Sequence, residues 1–149
     1  MAHVKKKLLR HLAQGVYCKL GVSPIHGIGV FAIRAIPKGI NPMPTLVDHE
    51  EIKFSRRQID QLPKSVRKQI EIFCYHTDKV VKVPTLGFNT MNLVFYMNHS
   101  KNPNMSLKNS GNGVTLRAIR KGEELTYNYF TDGEGLIQCR CRPGCKTLL

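Results

Sequence analysis

The chain has 149 residues, 42% of them hydrophobic and 7% aromatic, which suits one compact domain around one core. Its formal charge of +13 draws in polyanions such as nucleic acid, an acidic protein surface or an anionic membrane. No apolar run is long enough to cross a bilayer. Met1 to Gln14 lacks the uninterrupted apolar stretch and small-residue cleavage site of a signal peptide, so secretion is not expected.

Residues 1–14 read as a basic extension carrying Lys5-Lys6-Lys7 and Arg10. Val16 to Val22 alternates loosely and predicts a strand. Ser23-Pro24-Ile25-His26-Gly27 predicts a turn, because Pro and Gly punctuate it. Gly29 to Ile33 predicts a second strand, closed by the turn signal Ile36-Pro37-Lys38-Gly39. Pro42 and Pro44 argue against a central strand over residues 40–50. A helical insert follows at about 55–75: Ser55 can cap a turn running through Ile59, and Ser65 can cap a helix over Val66 to Tyr75. Lys79 to Val83 is β-branched and strand-like. Asn92 to Met97 is a short apolar segment leading into the polar loop Asn98-His99-Ser100-Lys101-Asn102-Pro103-Asn104. Residues 109–113, Asn-Ser-Gly-Asn-Gly, predict a hairpin turn between Met105–Lys108 and Val114–Ile119. After a turn at Arg120-Lys121-Gly122-Glu123, Leu125 to Phe130 predicts a strand with Tyr127 and Tyr129 on one face.

Of the five cysteines, three crowd into Cys139-Arg140-Cys141-Arg142-Pro143-Gly144-Cys145. An odd number without a signal peptide reads as reduced thiols or a metal site, not a disulfide framework. The glycosylation sequons at Asn98 and Asn104 lose their meaning for the same reason. The basic clusters, which include Arg56-Arg57, Lys64 with Arg67-Lys68, and Arg140 with Arg142, come with no helix-turn-helix or interleaved aromatic pattern.

Three landmarks occur in a fixed order: His26-Gly27-Ile28-Gly29-Val30-Phe31-Ala32, then Asn98-His99-Ser100, then Glu124-Leu125-Thr126-Tyr127-Asn128-Tyr129. In this order, each beside an apolar strand, the set resembles SET-domain protein-lysine methyltransferases over Tyr17 to Cys145. The resemblance implies a β-rich fold of several small sheets with a short helical insert and a threaded C-terminal strand, an exception to the general avoidance of threading. It implies a SET domain at 15–137 and a short cysteine tail at 138–149. It also implies S-adenosyl-L-methionine as methyl donor and a protein with an exposed lysine, foremost a histone tail, as substrate. By the same resemblance Tyr129, Tyr127 and Tyr96 are the catalytic candidates. His26, Gly27, Ile28, Gly29, Asn98, His99 and Tyr129 are the cofactor-binding candidates, with Asn98 acting through its side chain and His99 through backbone groups. A Tyr at 127 resembles members that add mainly one methyl group.

That chemistry has physical demands. Methyl transfer from a sulfonium is an in-line displacement, so alignment is the main task. The lysine must arrive neutral, which costs about 4–5 kcal/mol at pH 7 from a reference pKa near 10.4. A desolvated channel and an approaching sulfonium both favour loss of that proton. Tyrosine supplies such a channel with an apolar wall and a polar tip.

The chain also departs from the family pattern. Asn128 stands where many relatives carry an acid, and Asn41-Pro42-Met43-Pro44 replaces a Glu-Tyr pair in the lysine channel. Cys139, Cys141 and Cys145 resemble a zinc-binding post-SET segment, but Lys101 occupies the position that often supplies the fourth thiolate. Zinc would need Cys18, Cys74, a histidine or water to complete its tetrahedron. The altered channel and the charge support an alternative, a non-catalytic module binding chromatin or nucleic acid on a SET scaffold, with nucleosome contact through the basic surface. A methyltransferase of non-histone proteins is a further alternative. The compartment expected is the nucleus if histones are the substrate, and the cytoplasm otherwise.

Overall fold

A computed structural model describes residues 2–46, 50–107 and 113–130. The protein is β-rich, with eight short strands in three small sheets and three α-helices among the described residues. The N-terminal extension is helical. Helix α1 (Ala2–Arg10) runs into a π-helical turn at His11–Gly15. Its Val4, Leu8 and Leu12 recur at helical spacing but remain exposed. Two bonds tie this region to the body, Lys7 Nζ to the Leu46 carbonyl at 3.5 Å and Arg34 Nη2 to the Gln14 carbonyl at 2.5 Å.

Strands β1 (Cys18–Val22) and β2 (Ile28–Ala32) form an antiparallel hairpin with Cys18 opposite Ala32 and Val22 opposite Ile28. The connection closes through the Ser23 N–H donating to the Gly27 carbonyl at 2.9 Å. Gly27 has φ +51°, a left-handed conformation that glycine adopts without Cβ strain. Alternation along β2 sends Val30 and Ala32 into the core.

The insert begins one strand earlier than expected. Glu51–Ser55 is strand β3, paired antiparallel with β4 (Val80–Pro84). Helix α2 (Arg56–Asp60) starts at the expected Ser55 cap, where the Ser55 Oγ accepts the Gln58 N–H and the Gln58 side chain accepts the Ser55 N–H, a reciprocal capping box. Helix α3 (Lys64–Phe73) differs from expectation: Ser65 lies inside it, and the Pro63 carbonyl accepts both the Val66 and Arg67 N–H groups at 3.0 Å. It ends at Phe73 because Cys74 is extended. Ile59, Ile70, Cys74 and Val81 bury together here as a small second core.

Asn92–Met97 is not extended; Leu93–Tyr96 is a 3-10 turn, capped by the Asn92 Oδ1 accepting the Val94 N–H. The next two residues, expected as a loop, are the buried strand β5 (Asn98–His99). Strands β6 (Met105–Ser106) and β7 (Val114–Thr115) form the expected antiparallel hairpin, its turn lying outside the described residues. Strand β8 (Glu124–Tyr127) stops short of the expected Phe130, because the Tyr129 N–H bonds to His99 Nδ1 at 3.2 Å.

The principal sheet has the order β1-β2-β8-β5. β8 is antiparallel to β2 and parallel to β5, with Asn98 beside Thr126 and His99 beside Tyr127. Parallel neighbours need a long crossover, here residues 100–123 with the β6–β7 hairpin. β8 thus holds the central position of the expected threaded strand. Val30, Ile36, Met97, Met105, Ile119 and Leu125 bury almost completely beneath it. Each such side chain contributes about 1.5–3 kcal/mol, so the meeting of β5 and β8 rests on the main core. The Phe73 ring meets Tyr96 edge-on at 5.4 Å, linking the insert to that core.

Candidate active site

The parallel pairing of β5 with β8 brings together residues almost 30 positions apart. Asn98 is buried. Its Nδ2 donates to the His26 carbonyl at 3.0 Å, the Ile28 carbonyl at 3.4 Å and the Glu124 carboxylate at 2.8 Å. A carboxamide nitrogen has two hydrogens, so these acceptors occupy it fully. Glu124 also accepts from the Ser23 Oγ, at 2.8 and 2.9 Å to its two oxygens. Ser23 Oγ in turn accepts the Ile25 and His26 N–H groups at 2.9 and 3.3 Å. The turn before β2 is therefore fastened to both β5 and β8.

Gly29 and Gly27 differ in what they permit. A Cβ on Gly29 would overlap the Glu124 carboxylate, lying 2.8 Å from its Cδ and 3.1 Å from the Ser23 Cβ. A Cβ on Gly27 would meet nothing within 4 Å. Gly29 thus makes room for a carboxylate inside the protein, whereas Gly27 borders open space.

The second half of the site is aromatic. His99 and Tyr129 have ring centroids 5.2 Å apart, and Tyr129 and Tyr127 4.6 Å apart, both tilted; Phe130 meets His99 edge-on at 5.3 Å. The Tyr129 hydroxyl donates to the Met97 carbonyl at 2.7 Å. Burial, then the nearby Glu124 carboxylate, push the Tyr129 phenol up to about 12, so it is neutral at physiological pH. A phenol whose proton is held by a carbonyl presents its oxygen as an acceptor. His99 Nδ1 accepts the Tyr129 N–H, and the other ring nitrogen is Nε2. That Nε2 is buried and has no partner among the described residues. Burial lowers the His99 pKa, as does the Lys101 charge, against a bond with the Tyr127 backbone.

The structure brings His26, Ile28, Gly29, Asn98, His99, Tyr127 and Tyr129 into one region, with Gly27 at its edge. Tyr96 precedes Met97, whose carbonyl orients Tyr129, and its half-buried ring lies against Phe73. Three contributors carried no role in the sequence reading: Ser23, Glu124 and the Met97 carbonyl. Cys139, Cys141 and Cys145 lie outside the described residues. Among the described residues no group of three or more His, Cys, Asp or Glu could hold a metal. Cys18 and Cys74 lie in the two separate cores, and burial pushes their thiols up to about 11 and 12. No described helix is long and apolar enough to cross a membrane.

A profile of the SET domain family matches residues 27–130. The chain belongs to the SET domain family. This SET domain is similar to the Mycosarcoma maydis "Histone-lysine N-methyltransferase, H3 lysine-4 specific", at 33% identity over 148 residues, covering 88% of this chain and 10% of that protein. It is also similar to the Drosophila melanogaster "Histone-lysine N-methyltransferase trr", at 30% identity over 155 residues, covering 95% of this chain and 6% of that protein. The chain spans a tenth or less of the length of these curated relatives. A crystal structure of a proposed Plasmodium falciparum histone methyltransferase matches with a TM-score of 0.45 and 18% identity, covering 76% of this chain and 93% of that one.

Proposed function

We propose that this SET domain transfers a methyl group from S-adenosyl-L-methionine to the side-chain amine of a protein lysine. A histone tail is the proposed substrate, and monomethyl-lysine the main product. The observation that carries the reading is the Tyr129 phenol: neutral, tied through its proton to the Met97 carbonyl, and flanked by the rings of His99 and Tyr127.

The residues present fit the donor. The open space at Gly27 leaves room along the turn, and the buried, unpartnered His99 Nε2 is a polar atom that a ligand can satisfy. S-adenosylmethionine supplies an electrophilic methyl on a sulfonium. His26, Gly27, Ile28 and Gly29 line it from the turn, Asn98 holds that turn in place, and His99 presents backbone groups from β5. Tyr129 orients the reacting centre through its oxygen. It does not serve as a base, since a phenol titrating near 12 holds its proton at neutral pH; the lysine loses its own proton to solvent on desolvation. Tyr127 crowds the amine beside Tyr129, which favours a single methyl. Tyr96 and Phe73 form the wall toward the insert.

The basic surface belongs to the same reading. Residues 1–47 contain Lys5, Lys6, Lys7, Arg10, Lys19, Arg34 and Lys38 and no Asp or Glu, a charge that suits the DNA of a nucleosome and a nuclear location. The catalytic unit is 15–137. The tail at 138–149 offers Cys139, Cys141 and Cys145 to zinc.

Incubation with labelled S-adenosylmethionine and either histones or a cell lysate tests this. Label enters a histone with wild type and falls at least about a hundredfold with Tyr129→Phe. Label on other lysate proteins alone selects the non-histone alternative. Salt-sensitive polyanion binding without cofactor binding selects the non-catalytic alternative.

A further inference from the structure

We propose that Glu124 is a positioning residue: its carboxylate couples the Ser23–Gly29 turn to Asn98 and so sets the wall along which the methyl donor lies. This rests on the methyltransferase reading above. Glu50, Glu51, Asp60, Glu71 and Asp78 are exposed, and Glu123 pairs with Arg117. Among the described residues Glu124 is the exception. It is half-buried, and its partners are neutral donors, the Ser23 hydroxyl and the Asn98 carboxamide.

A carboxylate drawn partly out of water with no cation beside it is costly. The chain is rich in Lys and Arg, yet among the described residues none forms an ion pair with it. Such a group holds its place through the hydrogen bonds it accepts, and those bonds organise the chain around it. It organises two things. Through Ser23 it holds the oxygen that accepts the Ile25 and His26 N–H groups. Through Asn98 it aligns the nitrogen that also holds the His26 and Ile28 carbonyls. Both paths end on His26, and the second also on Ile28, two of the four residues proposed to line the donor. Gly29 leaves the space in which the carboxylate sits. Position 124 therefore sets cofactor geometry without being required to touch the cofactor.

Calorimetric titration with S-adenosylhomocysteine, steady-state kinetics and amide hydrogen exchange on wild type, Glu124→Gln, Glu124→Ala, Ser23→Ala and Tyr129→Phe test this. Loss of a charge-assisted bond weakens binding by about tenfold. Glu124→Ala is expected to raise the ligand Kd and the cofactor KM by at least about tenfold. Glu124→Gln, which keeps the shape, and Ser23→Ala fall in between. In all three, exchange rises at residues 25–28 and 98–99 while helix α3 keeps wild-type protection. Tyr129→Phe gives the reverse split: kcat falls and Kd holds. A Glu124→Ala protein with wild-type Kd and wild-type exchange at 25–28 overturns the proposal, as does exchange that rises uniformly across the domain in Glu124→Gln and Ser23→Ala. If wild type binds no cofactor, the methyltransferase reading fails by itself, and the exchange pattern still decides whether Glu124 couples the two segments.

Discussion

Replacing Gly29 with alanine separates two explanations of the Gly27-Ile28-Gly29 motif. If both glycines serve only backbone freedom, alanine at 29 is harmless, because this position lies inside β2 and not in the left-handed region. Alanine then even gains about 0.5–1 kcal/mol by restricting the unfolded chain. The structure argues otherwise. The added Cβ overlaps the Glu124 carboxylate, which must leave its bonds with Ser23 Oγ and Asn98 Nδ2. Each bond to a charged group is worth about 1.5–3 kcal/mol. Because the displaced carboxylate regains water, the net loss is about 2–3 kcal/mol. With a urea slope of about 2 kcal/mol per M, the midpoint drops by about 1 M. Gly27→Ala, which meets no neighbour, costs only the left-handed backbone penalty of about 1–2 kcal/mol. The decisive sample is Gly29→Ala with Glu124→Ala: removing the carboxylate makes room for the methyl, so the two losses fall short of additivity by at least about 1 kcal/mol. A Gly29→Ala protein within about 0.5 kcal/mol of wild type, or strict additivity in the double variant, refutes the packing argument.

Tyr127→Phe is expected to shift the product from monomethyl- toward di- and trimethyl-lysine, read by mass spectrometry; an unchanged product ratio refutes the crowding role. His99 titrates below its ordinary value in the folded state, so it contributes stability that is fully present above pH 6.5 and lost as pH falls through the lower folded value. A Tm series from pH 7.5 downward shows this fall, and His99→Phe removes that part of it. Cys18, Cys74 and Tyr129 carry the opposite sign, with folded values raised to about 11, 12 and 12. Their contributions hold below the unfolded values and vanish as pH rises through about 9–12, so stability falls across that window and Cys74→Ala flattens the slope.

What the sequence revealed and what it hid follow from the range of the interactions. The Ser55 cap was legible because Gln58 completes it three residues away. The β1–β2 and β6–β7 hairpins were legible because local turn residues specify them. The alternation Glu51-Ile52-Lys53-Phe54-Ser55 carried a strand signal that the prolines just before it obscured, and Val4, Leu8 and Leu12 carried a helical one beneath the lysines. The start of α3 was misjudged because a proline carbonyl replaced the serine cap. Asn98-His99 looks like loop from composition; its strand character comes from Thr126 and Tyr127, which only the folded chain supplies. Glu124 was the least visible. It sits in a strand pattern like many glutamates, and its partners lie 26 and 101 residues away.

A neutral phenol held beside the site where β5 meets β8 is the centre of the proposed chemistry. The most direct test is mass spectrometry of histones after incubation with S-adenosylmethionine and either wild type or Tyr129→Phe protein. The expected result is a single added methyl on a histone lysine with wild type and almost none with the variant. No methyl-lysine on any histone, or equal yields from the two proteins, contradicts it.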